Sequence, residues 1–333
     1  MSDRSLLVKD LGEHSLLNKL QCFCPQDLVG DDGAVLTTNP DRSLVVTTDV
    51  LVDQVHFSDR TTTAFDVGWR AAAANLSDLA AMGAEPLGIT VGLSLPGEQE
   101  VNWVEELYQG MNACLGIYQT PIVGGDICRS TVASVAITAF GQVSPQKVIR
   151  RSQAKPGDAI VITGLHGLSR GGLELLLDSS KGSGLKFPER ERLILAHQRP
   201  KPRLDILRYL AKIPPEIAIA GMDSSDGLAD AVIQICRCSG VGARIDKESL
   251  TIFPGLTKLA EIKTAWEWLL YGGEDFELVL CLPKDFAAVL VKELGCEAAV
   301  IGEVTLNPEI QIDNTNDLNQ EQVLNIGKGF QHF

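Results

Sequence analysis

Seven aspartates sit where an apolar strand or helix gives out: Asp31 and Asp32 in GDDGA, Asp49 in VVTTD, Asp78 in NLSDLAAMG, Asp126 in IVGGD, and Asp223 and Asp226 in MDSSDG. Such ends are where α/β proteins hold functional groups, and the glycines beside several of these carboxylates let backbone amides approach a ligand. Carboxylates in this number suit a hard cation. Magnesium is favoured over zinc, because no histidines and cysteines cluster with them. Taken singly, each can also serve as a turn residue or helix N-cap, and Asp226 stands where it could cap the helix that follows. Asp78 is different. With Asn75 and Ser77 it supplies all the polarity between Ala71 and Ala84, and a carboxylate in so apolar a helix needs a partner, for which a metal is well suited.

No G-x-x-x-x-G-K-[ST] phosphate loop is present, nor a kinase-type glycine loop with its lysine. Any ATP site is therefore of another kind. The formal net charge is -14, so a triphosphate sits among these carboxylates only with cations between them. Nucleotide bound through several Mg²⁺ ions fits what remains. The same charge argues against nucleic acid and anionic membrane surfaces as partners.

The elements that must position these residues alternate, which predicts an α/β fold. Ser43 to Thr48, Gly88 to Leu95, Pro121 to Val123 and Val132 to Gln142 read as strands, and Ala64 to Met82 and Glu100 to Tyr118 as long helices. A polar stretch with a Pro-Gly turn, Arg150 to Asp158, marks a domain boundary, giving domains 1–150 and 151–333. Beyond it, the apolar run Ala159 to Thr163 leads into helices near Leu168 to Leu177, Arg203 to Ala211, Gly227 to Cys236 and Phe286 to Leu294. Strands are expected near Ile217 to Gly221, Gly242 to Ile245, Glu277 to Leu282 and Ala299 to Val304. Ser179 to Gly184 reads as a flexible loop.

Met1 to Asn18 has no apolar core of the signal-peptide kind, and no apolar run reaches membrane-spanning length. A cytoplasmic protein is expected. Its eight cysteines, two pairs of them spaced C-x-C, are then reduced and mostly buried rather than zinc-bound or paired.

GDDGA (30–34), TTDVLVDQVHF (47–57), NLSDLAAMGAEP (75–86), GGD (124–126), RSQAKPGD (151–158), MDSSDGL (222–228), GGEDFEL (272–278) and the C-terminal GKGFQHF together resemble the thiamine-monophosphate kinase family, in family order. The resemblance implies a homodimer whose N-terminal sheets join in a shared barrel, with a C-terminal α/β domain beside each. It implies transfer of phosphate from ATP to thiamine monophosphate. By motif, Asp32, Asp49, Asp78, Asp126 and Asp223 hold magnesium, with Thr48 and Asp226 as further ligands. Gly125, Asp126, Arg151 and Ser225 contact ATP, and His56, Glu274 and Phe330 line the thiamine phosphate pocket. The pattern departs from the family's commonest form at Asp53-Gln54, at Ile127 and at Ser224. His56 and Phe330 can equally be read as core residues and Arg151 as a solvated charge. HQRPKPR (197–203) reads as structural.

In such a reaction the nucleophile is a phosphate oxygen, largely ionised at neutral pH because its second pKa is about 6. No general base is needed, and no Ser/His/Asp or Cys/His arrangement suggests a covalent intermediate. The rival readings are another ATP-using enzyme of the same superfamily, of the aminoimidazole ribonucleotide synthetase or selenophosphate synthetase type, or a non-catalytic maturation partner. Cys22 and Cys24 lack the glycine-rich surroundings of a selenophosphate synthetase's reactive cysteine, and the tail ends in Gln331, His332 and Phe333 rather than cysteine.

Overall fold

The computed structural model describes residues 6–26, 28–29, 33–313 and 322–324. The chain divides into two compact units, Met1–Leu79 with Glu85–Gln142, and Ala80–Ala84 with Val143–Phe333. The architecture is mixed α/β, built on two sheets. Among the described residues no helix is long and apolar enough to cross a membrane.

The first unit runs α1 (Val8–Leu11), α2 (Glu13–Leu20), β1 (Ser43–Val52), α3 (Ala64–Ala81), β2 (Glu85–Leu95), α4 (Val101–Ile117), β3 (Ile122–Arg129) and β4 (Ser134–Val143). Its sheet has the order β1-β4-β2-β3, with β2 parallel to β3 and antiparallel to β4. Side chains alternate across it as a half-buried sheet requires. Ile89, Val91 and Leu93 of β2 and Val135, Ile137 and Ala139 of β4 are buried, whereas Thr90, Gly92, Ala136 and Thr138 between them are part-exposed. On β1 the open face is mostly apolar: Leu44, Val46 and Val50 are 52%, 53% and 47% exposed, with Thr48 between them. α3 and α4 touch through their backbones. A Cβ on Gly68 would stand 1.9 Å from the Leu107 carbonyl oxygen, and one on Gly110 1.8 Å from that of Phe65, so only glycine permits this crossing.

The second unit contains β5 (Ala159–Ile162), α5 (Leu168–Leu177), α6 (Phe187–Gln198), α7 (Leu207–Leu210), β6 (Ala220–Asp223), α8 (Leu228–Ser239), β7 (Gly242–Asp246), α9 (Pro254–Leu259), α10 (Ile262–Tyr271), β8 (Leu278–Leu282), α11 (Lys284–Leu294), β9 (Ala299–Thr305), β10 (Ile310–Asp313) and β11 (Gln322–Val323). The sheet order is β11-β10-β7-β9-β5-β8-β6, antiparallel except where β10 runs parallel to β7. The apolar face of α8, with Leu228, Val232, Ile235 and Cys236, shares a core with Ile160, Met222, Val279 and Ile301 of the strands. A smaller core joins Leu168, Leu175, Leu193, Leu256 and Ala265 of α5, α6, α9 and α10.

Three local expectations are corrected. Ser179–Gly184 is a short 3-10 helix, its first turn capped by the Asp178 carboxylate, which accepts from the Ser180 amide at 3.0 Å. The helix expected over Arg203 to Ala211 is a 3-10 turn, Leu204–Ile206, followed by α7. The thiols are unpaired, but Cys22, Cys128, Cys238 and Cys296 are exposed; Cys238 follows the buried Cys236 by two positions, which on a helix turns it outward.

Candidate functional site

β1 carries two of the sequence-predicted residues, Thr48 and Asp49, directly after Thr47, and alternation sends the three to two faces. The Thr48 hydroxyl pairs with that of Thr138 at 2.9 Å. Thr47 and Asp49 face α3 instead. Thr47 donates its hydroxyl hydrogen to the Asp78 carboxylate, and the Asp49 amide donates to Asn75 Oδ1 at 3.3 Å, while Asn75 Nδ2 donates to the Ala71 carbonyl at 3.0 Å. Asn75 and Asp78 of an alanine-rich helix thus meet the middle of β1, and Asp49 lies inside that strand rather than at the end the sequence suggested, because the strand runs on to Val52. Asp78 has its required partner in Thr47, a residue the sequence reading passed over.

His56 lies in the tight turn after β1, entered through Gln54 at φ +65°. The Val52 amide donates to its Nδ1 at 3.1 Å. An accepting Nδ1 carries no proton, so the ring hydrogen sits on Nε2. Asp126 is on β3, exposed and opposite Gly92. Gly125 before it admits no side chain, since a Cβ would fall 2.2 Å from the Val91 carbonyl oxygen.

In the second unit β6 ends at Asp223, which is buried. The Ser225 hydroxyl donates to Asp223 Oδ1 at 3.1 Å, and the Ser225 carbonyl accepts from the Glu274 amide at 2.7 Å. Asp223, Ser225, Asp226 and Glu274 are therefore gathered where two loops meet. α8 begins behind Gly227 with no side-chain cap, so Asp226, which is exposed, does not serve as the cap its position suggested. Glu274 and Phe276 both have left-handed backbone, φ +65° and +52°, strain of a kind that gathers at functional sites. It also turns Asp275 inward, where it accepts from the Gly167 and Ser169 amides at 2.6 and 2.8 Å and closes the start of α5. Burial pushes its carboxyl up to about 7.

Below these loops lies a buried polar frame that sequence reasoning missed. Ser224 is buried, its amide donating to the Glu277 carbonyl at 2.8 Å and its hydroxyl 3.1 Å from His166 Nε2. His166 is buried and its pKa is lowered to about 4 by desolvation, so the ring is neutral. Glu277 Oε2 accepts from the Thr163 hydroxyl and from Arg203 Nη1, each at 2.6 Å, and Arg203 Nε donates to Asp205 at 2.9 Å. HQRPKPR thus ends in a structural arginine. The available signal was weak: polar residues beside apolar strands, with partners far along the chain.

Arg151 is exposed, in a 3-10 turn over Arg151–Gln153. Asp32 and Phe330 lie outside the described residues. Thr48, Asp49, Asp78, Asp126, Asp223 and Asp226 offer only hydroxyl and carboxylate oxygen, a donor set that fits Mg²⁺. Among the described residues, no three His, Cys, Asp or Glu side chains stand close enough together to hold an ion. For Asp126 the sheet order gives the reason. β1 and β3 are opposite edges with two strands between them, roughly 14 Å at about 4.8 Å per strand step.

Residues 30–143 match the family model of the AIR synthase related protein N-terminal domain, and residues 155–313 that of its C-terminal domain. The chain is 51% identical to the thiamine-monophosphate kinase of Synechococcus elongatus, over 100% of this chain and 99% of that one. The crystal structure of thiamine-monophosphate kinase from Stenotrophomonas maltophilia superposes with a TM-score of 0.78 at 34% identity, covering 90% of this chain and 95% of that one. AaThiL, complexed with AMPPCP and TMP, superposes with a TM-score of 0.75 at 30% identity over 99% and 100% of the two chains.

Proposed function

This chain belongs to the thiamine-monophosphate kinase family, and we propose that it transfers the γ-phosphoryl group of ATP directly to the phosphate of thiamine monophosphate, giving ADP and thiamine diphosphate. The observation that carries this reading is the 51% identity over the whole chain to an enzyme of that name. A relative aligned over 99% of the chain holds AMPPCP and TMP together, which suits a transfer with no covalent enzyme intermediate. Following ADP release on addition of thiamine monophosphate, with and without Mg²⁺, tests it.

Arg151, Ser225, Gly125 and Asp126 take the nucleotide, the glycine by bringing its backbone against the phosphates. His56, Glu274 and Phe330 take thiamine monophosphate. His56 offers an Nε2–H, and its other nitrogen is already engaged by Val52, so it holds the acceptor phosphate and removes no proton. None need be removed, since the attacking oxygen is ionised above a pKa of about 6. The remaining difficulty is two anions brought together in line. Asp32, Thr48, Asp49, Asp78, Asp126, Asp223 and Asp226 would hold the magnesium ions, whose charge would offset that repulsion when bound.

The working form is a homodimer in this reading. A mostly apolar open face on β1 and two sheet edges, β1 and β3, that pair with no further strand among the described residues are what a closed barrel of two such sheets covers. Joining the β3 edge of one protomer to the β1 edge of its partner would also bring the strand that carries Asp126 next to the strand that carries Thr48 and Asp49. Light scattering reads the dimer; mixing inactive Asp49→Asn and Asp126→Asn chains reads the sharing, since only shared sites regain activity. A cytoplasmic place of action suits the ATP donor and eight unpaired thiols.

A further inference from the structure

α8 carries a polar row that faces the turn holding Arg151. Arg151 Nη1 donates to Gln234 Oε1 at 2.6 Å, and Gln234 Nε2 donates to the Asp230 carboxylate one helical turn earlier. At the end of the same helix the Ser239 hydroxyl donates to the Arg151 carbonyl at 2.8 Å and accepts from the Ala154 amide at 3.0 Å. We propose that Gln234 is a positioning residue for phosphoryl transfer, holding the Arg151 guanidinium toward the nucleotide, with Asp230 fixing which end of the Gln234 amide faces it. This rests on the reading of Arg151 as an ATP contact.

Three features of the geometry separate this from ordinary packing. The backbone of the turn is already fastened twice by Ser239, so the bond to Gln234 acts on the side chain alone. A carboxylate only accepts, so Asp230 draws the amide NH₂ toward itself and leaves the oxygen for Arg151. And the acceptor is neutral. It orients the guanidinium through one of its five N–H donors without cancelling the charge that a triphosphate needs. A long, exposed arginine held in one orientation before binding loses less freedom when the nucleotide arrives. Because α8 starts directly behind Asp223–Asp226, the same helix sets both the proposed metal ligands and the arginine.

The test uses the full-length enzyme and steady-state kinetics with ATP and thiamine monophosphate varied separately. Gln234→Met keeps volume and helix propensity and removes the acceptor. It is expected to raise KM for ATP about five-fold, the net worth of one hydrogen bond, with KM for thiamine monophosphate and Tm unchanged. Arg151→Ala is expected to raise KM for ATP further, and the double variant to be no worse than Arg151→Ala alone. Asp230→Asn, which lets the amide turn over, should give a smaller rise of about twofold. A normal KM for ATP in Gln234→Met, or an effect that persists undiminished in the Arg151→Ala background, overturns the positioning role. An Arg151→Ala enzyme with normal KM for ATP instead removes the nucleotide contact itself, and the proposal falls with it.

Discussion

Substituting His56 separates binding from proton transfer more cleanly than any other change. Its Nδ1 accepts from the Val52 amide at 3.1 Å, so in the proposed role the N–H that reaches the acceptor phosphate is the one on Nε2. A hydrogen bond to a charged group contributes about 1.5–3 kcal/mol, so His56→Ala should raise KM for thiamine monophosphate roughly 10- to 150-fold while kcat changes little. The turn itself should survive, because the His56 amide donates to the Val52 carbonyl at 2.9 Å and the Gln54 amide to the Phe57 carbonyl at 2.8 Å, bonds that need no imidazole. The assay is steady-state turnover at saturating ATP and Mg²⁺ from pH 5 to 9. Activity should rise through the substrate's own ionisation, near pH 6, in wild type and variant alike. A kcat lowered by orders of magnitude at unchanged KM, together with loss of the acid limb, would mean that histidine acts as the base, and the base-free mechanism would be wrong.

Asp78→Asn and Asp126→Asn should each lower kcat at least about 100-fold at low millimolar Mg²⁺ with unchanged circular dichroism, since the amide keeps the shape and removes the charge a metal requires; near-normal turnover in both refutes the ligand assignment. Arg203→Met leaves Glu277 without its cation and should cost about 3 kcal/mol, lowering Tm by about 6–12 °C for a unit of this size, and Arg203→Met with Glu277→Leu should recover part of it; equal loss in single and double variants counts against a coupled pair. His166, with a folded pKa of about 4 against an ordinary 6.5, gives the unfolded chain first claim on a proton as pH falls. Its contribution is complete above pH 6.5 and is lost as pH drops toward 4, by about 2 kcal/mol at pH 5. Urea unfolding of wild type should show that extra loss between pH 7.5 and 5, and His166→Gln should not.

What the sequence made legible was whatever depends on neighbours in the chain. α3 follows from its apolar spacing, and Asp78 stands out within it because nothing around it is polar. Glycine-flanked aspartates are visible in the same way, but their place in the strand is not: Asp223 ends β6, whereas Asp126 lies inside β3. α6 escaped notice because its buried residues, Leu193 and His197, lie among charged positions, and β10 and β11 are too short to show a period. Partnerships were not legible at all. Thr47 meets Asp78 across 31 positions, and Thr163 meets Glu277 across 114. Glu274 and Asp275 are adjacent carboxylates with opposite fates, one at the loop junction and one beneath α5, because left-handed backbone on either side of Asp275 rotates them apart. Nor does any periodicity reveal strand order, which puts Asp126 and Asp49 on opposite edges of the sheet.

The products that the purified protein forms from ATP and thiamine monophosphate decide its function. ADP and thiamine diphosphate are expected in equal amounts, with neither formed when thiamine monophosphate or Mg²⁺ is left out. ADP released with inorganic phosphate and no thiamine diphosphate, or at a rate indifferent to thiamine monophosphate, would contradict the proposed function.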